Sequence, residues 1–374
     1  MCLSIYLIFT ALVALSYLLL IIAILKEWTF QSIGPSPTAV NFSVIIPARN
    51  EAYNIIPCLN AIIDSRDNYL GTVQVIVIDD HSQDETYKIV KEFAEYKIEV
   101  YKLSDWLEDK INAYKKAAIS FGLQKSTFEY IVQLDADVFV DKNYFSAINN
   151  CINANDTIFI AGPVLFAPSK NLLEHFQTLD MMGMMAVTNA GIKSQKWYMA
   201  NGANMVYKKR DPNFGLNDMA SGDDVYQIQE YARRDKSKIT FCLDKLAIVK
   251  TAPENSWTDL FKQRIRWATK NKKMESGTMQ MMMLIPFVNA WVIIGHLLLY
   301  FFFGTPALML FLFHILTKWG VDYIYLKKLS NFFHQDHSMN YFIPASVLHL
   351  FYIAFIGLAS FFVRKYEWKG RRVR

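Results

Sequence analysis

A chain of 374 residues, 53% hydrophobic and 20% charged, has room for one catalytic domain together with membrane segments. Its net charge of +5 is matched by the tail alone, where Arg364, Lys365, Lys369, Arg371, Arg372 and Arg374 stand against Glu367. The rest of the chain is balanced, which excludes a nucleic-acid role carried by bulk charge.

Residues 1–25 contain no charged side chain. A spanning helix needs about 20 apolar residues, so residues 1–26 are expected to form a membrane anchor. The stretch has no basic start and no small-x-small cleavage pattern, so it reads as retained rather than as a cleaved signal peptide. Residues 27–40 (EWTFQSIGPSPTAV) form a Pro/Gly/Ser-containing linker. From 41 to 275 short β-branched runs alternate with helical patterns. Strands are predicted at Phe42–Ile46, Val73–Ile78, Ile98–Leu103, Tyr130–Leu134 and Thr157–Ala161, and helices near 51–64, 84–95 and 111–122. That rhythm predicts an α/β fold with a parallel sheet covered on both faces, whose ligands bind beyond the carboxyl ends of the strands. Four scattered cysteines (Cys2, Cys58, Cys151 and Cys242) lack pair or metal spacing and suit reduced thiols in a cytosolic domain.

Ser276–Thr317 and His337–Val363 are again free of charge. The first fits two helices broken at Gly304-Thr305-Pro306 and the second fits one, so residues 276–363 are assigned to transmembrane or interfacial helices and 364–374 to a basic tail. Lys318 and Asp322, four residues apart, are expected to pair and face protein. A cytosolic domain followed by three spans would put the basic tail outside, against the positive-inside rule. Either a hydrophobic stretch near 279–303 lies in the interface, the reading preferred here, or the rule fails. The methionines at 181–185 and 279–283 are read as packing residues.

The strand ends carry the candidate chemistry. The first runs into Pro47-Ala48-Arg49-Asn50-Glu51, without the glycines that a dinucleotide-binding turn needs. The second ends in Asp79-Asp80-His81-Ser82 and the fourth in Asp135-Ala136-Asp137. Carboxylates crowded at the mouth of a sheet repel one another unless a cation or donors lie between them, and Asp-x-Asp suits a divalent ion bridging two phosphates. Gly222-Asp223-Asp224 opens a predicted helix; its acids serve either as first-turn residues or as a base for an acceptor hydroxyl. On a helix, Gln263, Arg266 and Trp267 share a face that offers an amide, a guanidinium and an aromatic ring. An amphipathic helix at a membrane surface would look the same.

In this order, FSVIIPARNE, VIVIDDHSQDET, YKKAAISFG, QLDADV, NGANMVY, SGDD and QRIRW resemble the family-2 glycosyltransferases of GT-A fold, including the membrane-integrated branch with cellulose and hyaluronan synthases. The resemblance spans about 42–270 and makes 41–275 a catalytic domain with a mixed, mainly parallel sheet. It implies an inverting transfer from a nucleotide-diphosphate sugar, with UDP expected as the nucleotide, to a lipid, lipid-linked or glycan acceptor. Pro47, Glu51 and Asp80, with Asp79 beside them, would line the nucleotide pocket, and Lys115 would approach the diphosphate. Asp135 would contact the nucleotide and, with Asp137, hold Mg²⁺ or Mn²⁺. Asp224 would be the general base. Gln263, Arg264, Arg266 and Trp267 would contact the nucleotide sugar or the acceptor end. Asp-Asp in place of the family's Glu-Asp leaves Asp223 and Asp224 both open as the base. Tyr114 in place of a glycine leaves Lys115 and Lys116 both open. The expected location is the inner (cytoplasmic) membrane, multi-pass, with the catalytic domain in the cytoplasm. A processive polysaccharide synthase, an inactive nucleotide-sugar-binding scaffold and a nucleotidyltransferase are the competing readings.

Overall fold

The computed structural model describes residues 2–30, 33–107, 114–209, 223–270, 277–362, 366–368 and 371–373. The chain forms two compact units. The sheet unit comprises Phe30–Ala167, Gly191–Ala252 and Glu367–Arg374, and the helical unit comprises Met1–Thr29, Pro168–Ala190 and Pro253–Tyr366.

Chain order begins with α1 (Cys2–Glu27), β1 (Phe42–Ala48), α2 (Ile55–Asp67), β2 (Val73–Asp79), α3 (Thr86–Glu92) and β3 (Ile98–Lys102). There follow α4 (Tyr114–Lys125), β4 (Tyr130–Leu134), β5 (Val138–Phe139), α5 (Tyr144–Asn155), β6 (Phe159–Ala161) and β7 (Val164–Phe166). The five predicted strands are all present, the last beginning two residues later than expected because Thr157 precedes the pairing.

After α6 (Leu172–Lys193) come β8 (Asn204–Lys208), α7 (Asp223–Arg234), β9 (Ile239–Phe241) and β10 (Val249–Thr251). The main sheet has the order β3-β2-β1-β4-β8-β6-β9, and β5, β10 and β7 form a second, small sheet. β1 is buried along nearly its whole length, as a central strand covered on both faces must be, and it pairs in parallel with β2 and β4. The register sets Ala48 opposite Asp79 and Ile45 opposite Gln133, so the segments leaving β1, β2 and β4 emerge on one edge. β8 is antiparallel to both its neighbours and pairs Asn204 with Leu134. The residues entering β8 therefore reach that same edge.

That entry is held by Asn204, which is fully buried. Its side-chain N–H groups donate to the carbonyls of Pro163 and Ala247 at 2.9 and 3.0 Å, and its carbonyl accepts from the Tyr144 hydroxyl at 2.8 Å. A Cβ on Gly162 would lie 2.2 Å from the Asn204 side chain, so this close approach requires glycine.

In the helical unit, α8 (Trp257–Lys270), α9 (Gly277–Phe303), α10 (Thr305–Phe333) and α11 (Phe342–Phe362) follow in sequence. Among the described residues, four helices are long and apolar enough to cross a membrane: Ser4–Glu27, Gly277–Phe303, Thr305–Phe333 and Asp336–Ser360. α9 runs through the expected interfacial stretch without a break, and the turn at Gly304 separates it from α10 as anticipated. Ala290 and Ile293 of α9, Ile315 of α10, and Leu350 and Ala354 of α11 pack into one cluster. Lys318 does pair with Asp322, which also accepts from the Tyr17 hydroxyl at 2.6 Å. Met181, Met182, Met185, Met279 and Met282 are buried, as packing residues should be.

Residues 168–190 and those from 253 onward group with the apolar helices. The cause is visible in α6, where Asp180, Gln177 and Gly183 bond to Arg264, Glu254 and Tyr325 within the helical unit.

Candidate active site

Within the sheet unit the β1 and β2 exits are locked together. Arg49 donates to the carbonyls of Asp80 and His81 at 2.8 and 3.0 Å. The Asn50 N–H donates to the Ser82 hydroxyl at 3.0 Å, and the Glu51 N–H to the Thr86 hydroxyl at 2.8 Å. Asn50 and His81 both take left-handed backbone angles (φ 52° and 54°), which turns the two exits sharply. Asp79, Asp80 and Glu51 are buried there, and one Asp79 carboxylate oxygen has no hydrogen-bond partner among the described residues.

Asp84 ties this loop pair to α3. Burial acts to raise its pKa, but hydrogen bonds from the Thr86 hydroxyl and the Ala52 and Thr86 N–H groups outweigh it and hold the carboxyl below the usual range. A depressed carboxyl stabilises the fold above its ordinary range and loses that contribution as pH falls through the lowered value. Asp84→Asn is therefore expected to lower the thermal midpoint of the solubilised chain at pH 7. The difference should shrink towards zero at pH near 3, as melts at the two pH values would show.

The Asp-x-Asp turn sits beside these exits. Cys58 of α2 approaches the Asp135 carbonyl at 3.8 Å, and burial, then the charges of Asp137, Asp135 and Glu51, push its thiol up. The charges of Glu51, Asp135 and Asp137 are thus all felt at the buried Cys58 thiol. Lys115, at the start of α4, donates to Asp135 at 2.5 Å, so of the two candidate lysines it is Lys115 that reaches the Asp-x-Asp motif. The Thr251 hydroxyl donates to Asp137 at 3.3 Å.

Among the described residues no group of three or more His, Cys, Asp and Glu side chains is arranged to hold a metal by itself. The half-buried pair Asp135 and Asp137 nevertheless fits an ion of the Mg²⁺ type, which takes one or two carboxylates and completes its shell with phosphates and water.

The residues entering β8 complete the centre. A Cβ built on Gly202 would lie 3.7 Å from Lys115 Nζ, 3.7 Å from Gln133 Nε2 and 3.8 Å from Asp224 Cβ. Asp224 stands in the first turn of α7, where its Oδ1 accepts from the Val225 N–H at 3.0 Å. The Asp223 side chain and Ser221-Gly222 lie outside the described residues. Lys115, Asp135, Gln133, Gly202 and Asp224 therefore share one edge with the β1 and β2 exits, and the structure brings Asp79, Asp80, Glu51, Asp135, Asp137, Lys115 and Asp224 to it.

Residues 43–212 match the family described as Glycosyl transferase family 2. Over that stretch, somewhat less than half of the chain, the protein is similar to the family-2 glycosyltransferases. A probable glycosyltransferase of Bacillus subtilis, YdaM, is 25% identical over 62% of this chain and 55% of its own length. The glycosyltransferase AglE of Haloferax volcanii is 30% identical over 33% of this chain and 39% of its own. The chain thus spans about half or less of the curated relatives it matches. The mannosyltransferase PcManGT of Pyrobaculum calidifontis, solved with GDP-Man and Mn²⁺, superposes with a TM-score of 0.58 at 18% identity, covering 93% of this chain and 97% of that one. That likeness shows the GT-A fold.

Gln263, Arg264, Arg266 and Trp267 lie on α8 of the helical unit and are described there. Gln263 donates to Glu254 at 2.7 Å, and Glu254 is joined to Gln177 of α6 by two hydrogen bonds of 2.8 and 2.9 Å. Arg264, expected to contact the nucleotide sugar or the acceptor end, is held within the helical unit. It is 2% exposed, ion-paired with Asp180 at 3.0 Å and stacked 4.3 Å from the Trp267 ring. One face of the expected aromatic platform is therefore covered by a guanidinium, and Arg264 holds the helix.

Reasoning from sequence missed Gln133, Asn204, Gly162 and Asp180. Gly202 stood in a quoted motif but had no role. The available signal was a glycine flanked by two asparagines just ahead of an apolar strand, which marks a turn but not its place.

Proposed function

We propose that the glycosyltransferase moves a sugar from a nucleotide-diphosphate sugar to a hydroxyl of a lipid, lipid-linked or glycan acceptor, with inversion, as a multi-pass protein of the cytoplasmic membrane with its catalytic domain in the cytoplasm. The observation that supports this reading best is the approach of Lys115 and Asp224 to the same side of Gly202, with Lys115 also paired to Asp135 of the Asp-x-Asp turn. Pro47, Glu51, Asp79 and Asp80 hold the nucleoside in this reading. Asp135 and Asp137 would hold Mg²⁺ or Mn²⁺, which when bound neutralises charge on the diphosphate. The neighbour solved with GDP-Man and Mn²⁺ is consistent with that choice.

Asp224 takes the proton of the acceptor hydroxyl as the acceptor oxygen bonds to the anomeric carbon. The bond from that carbon to the phosphate oxygen breaks, and the diphosphate leaves with the electron pair, near the positive charge of Lys115. Arg266 has the part in diphosphate binding that the family resemblance gives it, and Gln263 and Trp267 the acceptor contact. Asp224, whose Cβ lies beside Gly202, is taken as the base, with Asp223 the alternative.

Membranes containing the chain, incubated with labelled UDP- and GDP-sugars, test this reading. Label is expected in a lipid or glycan fraction with the intact chain and not with Asp137→Ala. Release of free sugar alone, or equal incorporation by the variant, would count against it.

A further inference from the structure

Gly202 is not demanded by the fold around it. Its backbone is not in the left-handed region, and an added Cβ would meet its neighbours only at ordinary van der Waals distance, unlike Gly162, where Asn204 leaves no room. Glycine costs conformational entropy on folding, so a position that tolerates alanine keeps glycine for another reason. The atoms facing the missing side chain are an ammonium, an amide and the root of a carboxylate. The amide is fixed in place: Gln133 is 1% exposed, donates to the Gly202 carbonyl at 3.5 Å and accepts from the Tyr207 hydroxyl at 3.4 Å.

We propose that Gly202 is the floor of the sugar subsite and that its missing side chain, with the Gln133 amide, sets which sugar fits between Lys115 and Asp224. This rests on the transfer reading above. The sugar lies between the departing diphosphate at Lys115 and the base at Asp224, so the space over Gly202 is the one it must occupy. The nucleoside diphosphate product, which lacks the sugar, does not need that space.

The test compares Gly202→Ala and Gly202→Val with the intact full-length chain. Each added carbon is expected to lower kcat/KM for the sugar donor by about 10–200-fold, as extra volume in a sugar pocket does, while UDP and GDP bind with unchanged affinity. A structural fault would weaken donor and diphosphate alike, and that result overturns the proposal, as does full donor turnover by Gly202→Val. Asp224→Asn is run beside them. If it is inert while Gly202→Val is fully active, the subsite inference falls and the transfer reading stands. If Asp224→Asn itself transfers sugar normally, both fall.

Discussion

Asp224→Asn is expected to lower kcat by about 10²–10⁴-fold while leaving nucleoside diphosphate affinity and the fold unchanged. The asparagine keeps an acceptor oxygen for the Val225 N–H, so that hydrogen bond survives the substitution. What it loses is basicity, and only the proton transfer in the transition state depends on that. A merely structural role for Asp224 would show instead as a lower melting temperature with kcat intact. Steady-state kinetics with the best donor, together with thermal melts, separates the two.

The second large effect concerns the helical unit. Asp180→Ala is expected to destabilise it by about 3–5 kcal/mol, because the variant leaves a buried guanidinium without its carboxylate. Arg264 and Asp180 are both buried, and the packing of Trp267 and Met184 around the guanidinium gives it no route to water. Removing both charges, as in Asp180→Leu with Arg264→Met, is expected to recover most of the loss, since a packed apolar pair replaces a buried ion pair at little cost. Chemical denaturation of the two single variants and the double variant measures this. Additive losses would mean that the pair is not coupled.

The first strands were legible because they are apolar runs that give way to polar residues, and a parallel sheet puts such ends on one edge. The four long apolar helices among the described residues were legible mainly from stretches free of charge. The approach of Gly202 was not, because it depends on β8 running antiparallel, and nothing local in Asn204–Lys208 distinguishes that direction from its opposite. The Arg264–Asp180 pair was not legible for a related reason. Helical spacing places Gln263, Arg266 and Trp267 on one face, but it does not reveal that α6 brings an aspartate to the other. Asp180 lies more than 80 residues earlier in a methionine-rich helix, where a single acid looks like a surface residue.

The measurement closest to the central claim is the affinity of the nucleoside diphosphate with and without Mn²⁺, in the intact chain and in Asp137→Ala. If the Asp-x-Asp turn supplies the carboxylates that place a divalent ion on the diphosphate, Mn²⁺ tightens UDP or GDP binding to the intact chain and has no such effect on the variant. An equal gain from Mn²⁺ in both would contradict the account.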